Sequence, residues 1–261
     1  MITAVERADE LYDVIRTCTL CALSQTRTNA VPGEGPLDAE VMCIGEAPGV
    51  NEDKQGRPFV GSSGQFLSEL LAAAGLTRES VYICNVLKCR PPSNRDPLPN
   101  EIEACSEYLD LQLDLVDPLV VITLGRFSMA KWFPKQAISR IHGNVKEVDG
   151  LFVVPMYHPA AALHQGNLRQ VLIDDFARIP AILERARARR VEGQGKVATE
   201  PVQPTTAELA VDLTPRIEIP NPSAANGAPR DEPSPPGQQV PSPVEERLEP
   251  AKSVEQIRLF E

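Results

Sequence analysis

The chain has 261 residues, of which 42% are hydrophobic, and its net formal charge is −10. This length is enough for one sizeable core, and the acidic balance excludes binding of nucleic acid through a uniformly basic surface. Any DNA contact would need a local basic patch. No apolar run approaches the ~18 residues that a membrane-spanning helix needs, and no signal peptide is recognisable. We therefore predict a cytoplasmic protein that does not enter a membrane, whose six cysteines are reduced thiols or metal ligands.

Helix and strand patterns alternate along the chain to about residue 190. An amphipathic helix comes first, and further helices are predicted after Ser62, from Pro99 and from about Leu168. Four apolar runs predict strands, at 41–44, 81–86, 119–125 and 152–156. Apolar residues at nearly every position are typical of strands buried on both faces. The pattern predicts an α/β fold with three layers, α/β/α, and a central, mostly parallel four-stranded sheet.

A glycine-rich loop, 45–49 (GEAPG), directly follows the first predicted strand. Its glycines let the backbone approach a ligand closely, and its proline restricts one φ angle. Asn85 and His158 lie at or just past the ends of two other predicted strands. Because crossovers in a parallel sheet are right-handed, the carboxyl ends of its strands share one edge, where ligands bind. We expect the loop and both side chains to meet there, although the loop alone fits a tight turn equally well.

The cysteines divide into two groups by their position. Cys43 and Cys84 fall inside predicted strands, where a small apolar thiol packs well. The other four are assigned as ligands of one metal centre: Cys18, Cys21, Cys89 and Cys105. Their spacing leaves zinc and an iron–sulfur cluster equally open, and a CxxC pair also suits redox chemistry.

The composition changes near residue 191, which divides the chain into a folded domain, 1–191, and a tail. Residues 192–254 are rich in proline and acidic side chains. Such a segment cannot bury enough apolar surface to offset the entropy of ordering, so it is predicted to be a disordered linker. The last segment, 255–261, becomes apolar again.

Four motifs, taken in order, resemble one known family. They are 45–49 (GEAPG), 56–61 (GRPFVG), Asn85 with 88–92 (KCRPP), and 158–161 (HPAA). Over roughly residues 5–185 the chain resembles the family 4 uracil-DNA glycosylases, the iron–sulfur type. The resemblance implies a DNA-repair hydrolase that flips uracil out of single- or double-stranded DNA and cleaves its N-glycosidic bond, leaving an abasic site. It also implies one [4Fe–4S] cluster per chain on the four assigned cysteines, with a structural role.

The resemblance also assigns the catalytic residues. His158 matches the histidine that donates a hydrogen bond to uracil O2 as the base departs, and its alternative role is to cap a strand end. Glu46 either positions the hydrolytic water or braces its own loop, and the sequence leaves these two roles open.

The substrate-binding assignments follow from the same motifs. Asn85 presents an amide to the O4/N3 edge of uracil, and Phe59 stacks on the flipped base. Glu52 lies against C5 and excludes the methyl group of thymine. Gly45 and Ala47 line the pocket beside Glu46.

Two surfaces are predicted to contact partners. Lys88, Arg90 and Arg95 flank a cysteine near the pocket and are expected to bind DNA phosphates. Gln256–Phe260 resembles the short peptide by which bacterial repair proteins dock on the sliding clamp. Separately, the protein is expected to be a monomer that works at the nucleoid. The alternatives are a glycosylase for other deaminated bases, a redox protein using Cys18 and Cys21, and a non-catalytic four-cysteine DNA-binding or clamp adaptor.

Overall fold

The computed structural model describes residues 3–197, in which helices alternate with strands. The strands are β1 (Val41–Gly45), β2 (Tyr82–Asn85), β3 (Val120–Leu124), β4 (Lys146–Val148) and β5 (Leu151–Met156). The helices are α1 (Ala4–Thr17), α2 (Val50–Gln55), α3 (Ser62–Ala73), α4 (Pro99–Val116), α5 (Arg126–Met129), α6 (Ile138–Ile141), α7 (Pro159–His164), α8 (Asn167–Phe176) and α9 (Ile179–Val197). Single 3₁₀ turns lie at Ala22–Gln25, Arg78–Ser80 and Pro92–Asn94.

The sheet has the order β2-β1-β3-β5-β4, and all strands are parallel except β4, which is antiparallel to β5. This confirms the predicted fold class, and the four predicted strands form the parallel part. The number of strands was wrong, because β4 was missed. It has three residues, two of them exposed, at the edge of the sheet, so it carries no apolar run that periodicity could reveal.

Helices cover both faces of the sheet. Alternate residues of β1 point to opposite sides, with Cys43 in one apolar cluster and Met42 in the other. α3, α8 and α9 pack on the first face through residues such as Leu67 and Phe176. α4 packs on the second face through Leu109. The three-layer arrangement follows from strands that are buried on both sides.

A third apolar cluster joins α1 to α4 and to the segment that follows β2. Ile15 of α1 and Tyr108 of α4 lie in it together with the buried Cys89 and Cys105. Cys18 and Cys21 pack against its margin, and so all four cysteines assigned as ligands belong to one region.

The helix predicted from Leu168 is two helices, α8 and α9, and the basic end of α9 is paired with carboxylates. The ion pairs are Arg187–Glu40, Arg189–Glu147 and Arg190–Asp117. Two of these carboxylates precede β1 and β3, so α9 is fastened to the amino end of the sheet.

The tail assignments extend beyond the part of the chain that the structure describes. α9 continues to Val197, past the domain boundary predicted at 191. The rest of the predicted linker and the peptide at 255–261 lie outside the described residues. Among residues 3–197, no helix has the length and apolar character needed to cross a membrane.

Candidate active site

A cavity of about 360 Å³ opens at the carboxyl ends of β1, β2 and β5, which is within the usual size of small-molecule sites. Its walls come from the loops that follow these strands and from the 3₁₀ turn after β2. The lining residues are Glu46, Ala47, Pro48, Gly49, Glu52, Phe59, Ser63, Asn85, Pro91, Asn94, Arg95, His158 and Ala160. The structure therefore brings the predicted catalytic and substrate-binding residues, except Gly45, together in this lining at the edge where we expected them.

Gly45 ends β1 and, contrary to its prediction, does not line the cavity. It pairs with Asn85 in the sheet, and its carbonyl accepts a hydrogen bond from the amide of Val86 at 3.1 Å. A Cβ at this position would lie 2.3 Å from Asn85 Oδ1 and 2.6 Å from the Phe59 ring atoms Cε2 and Cζ. Glycine is required here because two predicted base-contacting side chains occupy the space of a methyl group.

Asn85 is the last residue of β2 and is 2% exposed. Its carbonyl oxygen accepts a hydrogen bond from Lys88 Nζ at 2.6 Å. The backbone is thus held from inside the protein, and the side chain contributes to the cavity wall.

His158 caps the N-terminus of α7. Its Nδ1 accepts a hydrogen bond from the amide of Ala160 at 3.1 Å, so a neutral ring carries its proton on Nε2. Burial lowers the pKa of His158 to about 4, although the nearby charge of Glu52 opposes this shift. At neutral pH the ring is an uncharged donor through Nε2–H.

Phe59 places its ring against His158, with 5.7 Å between the ring centroids and 25° between the planes. Its backbone has φ +50°, a left-handed conformation that is unusual for a bulky residue. Its carbonyl oxygen lies 1.8 Å from where a Cβ on Gly64 would be. The segment that carries Phe59 therefore requires glycine at position 64, just as the 45–49 loop requires it at position 45.

Glu52 braces the loops of the cavity. Its Oε2 accepts a hydrogen bond from the amide of Gly49 at 3.1 Å, and its Oε1 accepts from the amides of Val60 at 2.9 Å and Gly61 at 2.8 Å. The carboxylate thus joins the end of the 45–49 loop to the segment that carries Phe59. This bracing was considered for Glu46, and in the structure Glu52 provides it.

The carboxyl group of Glu46 has no hydrogen-bond partner among residues 3–197 and lines the cavity. Its pKa is raised to about 7, mainly by burial and in smaller part by the charge of Asp96, while the charge of Arg126 opposes the rise. Asp96 and Arg126 form an ion pair. A carboxyl group that titrates near neutrality suits general-base chemistry at physiological pH.

The four cysteines assigned as ligands influence one another electrostatically. Burial raises the pKa of Cys89, and the nearby Cys21 and Cys18 thiols also raise it. Arg27 lowers this pKa through a 3.1 Å hydrogen bond from Nη1 to Cys89 Sγ. The pKa of Cys105 is raised to about 12, mainly by burial, with smaller contributions from Cys89 and Cys21 that Lys88 opposes. Within the described part of the chain, no group of three or more His, Cys, Asp or Glu side chains is arranged to hold a metal ion.

The three predicted phosphate contacts differ in the structure. Lys88 is 1% exposed, and its Nζ donates to the Asn85 carbonyl and to Gln112 Oε1 at 2.5 Å. Its prediction as a phosphate ligand is wrong, because the side chain turns inward. Arg95 lines the cavity and pairs with Glu101 at 2.6 Å, and Arg90 donates to Asn94 Oδ1 at 2.7 Å.

Two groups near the site were missed by the sequence interpretation. Arg126 begins α5 directly after β3, so the strand-end rule that selected Asn85 and His158 would have found it as well. Gly64 carries no such signal, because the close approach of the Phe59 carbonyl is a property of the folded loop.

Comparisons with known proteins agree with this geometry. The model of the Uracil DNA glycosylase superfamily matches residues 32–178. A type-4 uracil-DNA glycosylase of Sulfurisphaera tokodaii is 47% identical over 186 residues, which cover 67% of this chain and 84% of that protein. The type-4 enzyme of Archaeoglobus fulgidus is 46% identical, covering 67% and 92%. The type-4 enzyme of Thermotoga maritima is 39% identical, covering 71% and 99%.

The matched region contains the sheet, the cavity and the histidine at the end of β5. The relatives are covered over most of their length at identities well above those that show only a shared fold. The chain belongs to the type-4 uracil-DNA glycosylases of the uracil DNA glycosylase superfamily.

Proposed function

We propose that this protein removes uracil from DNA by hydrolysing its N-glycosidic bond, the first step of base excision repair. The observation that carries the proposal is the convergence of a neutral histidine donor, an aromatic ring and a buried amide in one cavity. The type-4 relatives, which are named as uracil-DNA glycosylases, support it.

The reaction begins with flipping, because a stacked base hides its glycosidic bond. The flipped uracil stacks on Phe59, and the amide of Asn85 pairs with its O4/N3 edge. A wrong base leaves this buried amide unpaired, which costs ~1–3 kcal/mol. His158 Nε2–H then donates a hydrogen bond to O2, where negative charge develops as the base leaves. The neutral imidazole stabilises this anion through a hydrogen bond from Nε2–H, and no proton is transferred to the base before the bond breaks.

We assign Glu46 as the residue that positions water for attack on C1′ of the sugar. Its carboxyl group lines the cavity, its pKa of about 7 leaves it ionised at mildly alkaline pH, and Glu52 already braces the loop. Water adds to C1′ as the C1′–N1 bond breaks, the uracil anion departs, and the proton from water passes to Glu46.

A uracil-containing oligonucleotide, single- and double-stranded, tests the proposal when product is scored as alkali-labile abasic sites. Wild-type protein should produce such sites, and His158→Ala should be slowed severely. Oligonucleotides with hypoxanthine or xanthine show whether the specificity is broader. A folded wild-type protein that binds DNA without releasing uracil would refute the proposal and favour an adaptor.

We further propose that Cys18, Cys21, Cys89 and Cys105 hold one structural [4Fe–4S] cluster. Four thiols grouped in one partly buried region are a donor set that such a cluster takes. Each iron of the cluster binds one cysteine, so the sulfurs need not converge on a single ion. The hydrolysis needs no electron, and the bound cluster would join α1, the 88–92 segment and α4.

Iron and acid-labile sulfide analysis tests the cluster. Cys89→Ala should lose both elements and the visible absorbance, whereas Cys43→Ala, a buried cysteine in β1, should keep them. Wild-type protein purified without air that contains no iron and sulfide would refute the assignment.

DNA binding is proposed to use Arg95, which lines the cavity, and Arg126, whose charge acts on the Glu46 carboxyl group of the same cavity. Each cation that contacts a phosphate adds to the salt dependence of binding. Replacing both with glutamine should lower the slope of log K against log salt, and an unchanged slope would contradict the assignment.

Gln256–Phe260 is proposed to dock on the bacterial sliding clamp, with the part of 192–254 that follows α9 as a tether that raises its effective concentration. Deletion of 255–261 should abolish retention by immobilised clamp without changing uracil release. We also propose that the protein works as a monomer, in the cytoplasm at the nucleoid.

A further inference from the structure

Phe59 is held in a conformation that its own residue type does not favour. Its φ of +50° is the left-handed region, where a side chain with a Cβ is strained. The strain persists only if surrounding contacts impose it. Gly64 supplies the space, since the Phe59 carbonyl occupies the position of a Cβ there. The attraction that holds the backbone comes from another residue.

Arg78 provides that attraction. Its Nη1 donates to the Phe59 carbonyl at 2.8 Å, and its Nη2 donates to the Pro58 carbonyl. The same guanidinium donates to Glu34 Oε1 through Nε at 2.8 Å and Nη2 at 2.6 Å. The Arg78 side chain is 18% exposed and that of Glu34 24%, so these contacts are largely shielded from water.

Glu34 connects this arrangement to the sheet. Its amide donates to the Ile83 carbonyl at 2.9 Å, and its carbonyl accepts from the Ile83 amide at 2.7 Å. Ile83 belongs to β2, the strand that ends in Asn85. The carboxylate that orients Arg78 is therefore fixed to the strand that carries the base-reading amide.

We propose that Arg78 is a positioning residue that sets the ring of Phe59 at the correct distance from Asn85 and His158. The proposal rests on the proposed function, because the role of Arg78 is to place the ring on which uracil stacks. Arg78 itself makes no direct contact with uracil. A planar guanidinium suits the role, since its fixed fork holds two carbonyls and a carboxylate in one geometry, which a lysine cannot reproduce.

A double-mutant cycle between Arg78→Gln and Phe59→Ala tests the proposal, with kcat/KM for uracil excision as its readout. Stacking on an aromatic ring contributes roughly 5- to 160-fold, and Arg78→Gln should lose about tenfold of this by misplacing the ring. In the Phe59→Ala background Arg78→Gln should change kcat/KM less than twofold, because no ring remains to be placed. Arg78→Lys should be impaired nearly as much as Arg78→Gln.

Arg57→Gln is the matched control. Arg57 binds Glu34 Oε2 at 2.8 Å but has no hydrogen bond to the Phe59 backbone among the described residues, and it is 59% exposed. It should leave kcat/KM within twofold of wild type. Amide hydrogen exchange at Val60 and Gly61 should accelerate in Arg78→Gln and not in Arg57→Gln, and this arm is independent of activity.

Each outcome has one interpretation. Equal losses from Arg78→Gln in both backgrounds would show a general structural effect and overturn the proposal, as would exchange rates that match wild type. An inactive wild-type protein would instead refute the proposed function, and hydrogen exchange would still decide whether Arg78 holds the Phe59 segment.

Discussion

Substitution of Gly45 by alanine should disable base recognition while the fold is retained. The added Cβ would lie 2.3 Å from Asn85 Oδ1 and 2.6 Å from two ring carbons of Phe59. Ordinary contacts at a Cβ begin near 3.4 Å, so the amide must retreat by 1.1 Å (3.4 − 2.3) and the ring by 0.8 Å (3.4 − 2.6). The two side chains assigned to the edge and face of uracil would move together.

The magnitude follows from these displacements. A misplacement of about 1 Å in a positioned site costs roughly 100-fold in rate, and overpacking of this kind destabilises a protein by ~1–3 kcal/mol. We expect kcat/KM for uracil excision to fall by about 100-fold in Gly45→Ala, with a moderate decrease in melting temperature. Single-turnover cleavage of a uracil oligonucleotide, followed by alkali, measures the rate.

Gly166→Ala is the control, because a Cβ there has no neighbour within 4 Å and the backbone φ of −57° suits alanine. It should match wild type in rate and melting temperature. If Gly45→Ala were folded and cleaved within threefold of wild type, the cavity could not be holding uracil between Asn85 and Phe59.

Three further expectations follow from the electrostatics of the structure. Log kcat/KM should fall as the pH drops through about 7, because protonated Glu46 no longer accepts a proton. Glu46→Gln should be slower than wild type, and its kcat/KM should not vary with pH in this range. His158, whose pKa is about 4, should add no inflection between pH 5 and 8. Glu52→Gln should lower the free energy of unfolding by ~1–3 kcal/mol in denaturant titrations without conferring thymine release, since a neutral amide is a weaker acceptor for three backbone amides. Arg187→Ala should change that free energy by less than about 1 kcal/mol, because its ion pair with Glu40 is exposed, and a larger loss would mean that α9 contributes more than surface pairing.

The apolar runs and the residues at the strand ends determine the fold class of this protein and the location of its site. A run buried on both faces has few places except the centre of a parallel sheet, and the carboxyl ends of such strands must share an edge. For this reason the fold class and the meeting of Glu46, Asn85 and His158 were predictable. The same rule applied to the end of β3 would also have found Arg126.

Side-chain direction and protonation were decided by the tertiary structure alone. Lys88 reads as a surface cation in sequence, yet its ammonium group turns inward because the Asn85 carbonyl and Gln112 Oε1 converge on it. The bracing role belongs to Glu52 rather than Glu46 because three amides from two separate segments, Gly49 and 60–61, meet at one carboxylate. The 45–49 loop was legible in the sequence as a rigid turn, but its function depends on a methyl-sized space filled by Asn85 and Phe59. Such close contacts join residues that are far apart in the chain, so they cannot be predicted from the local sequence.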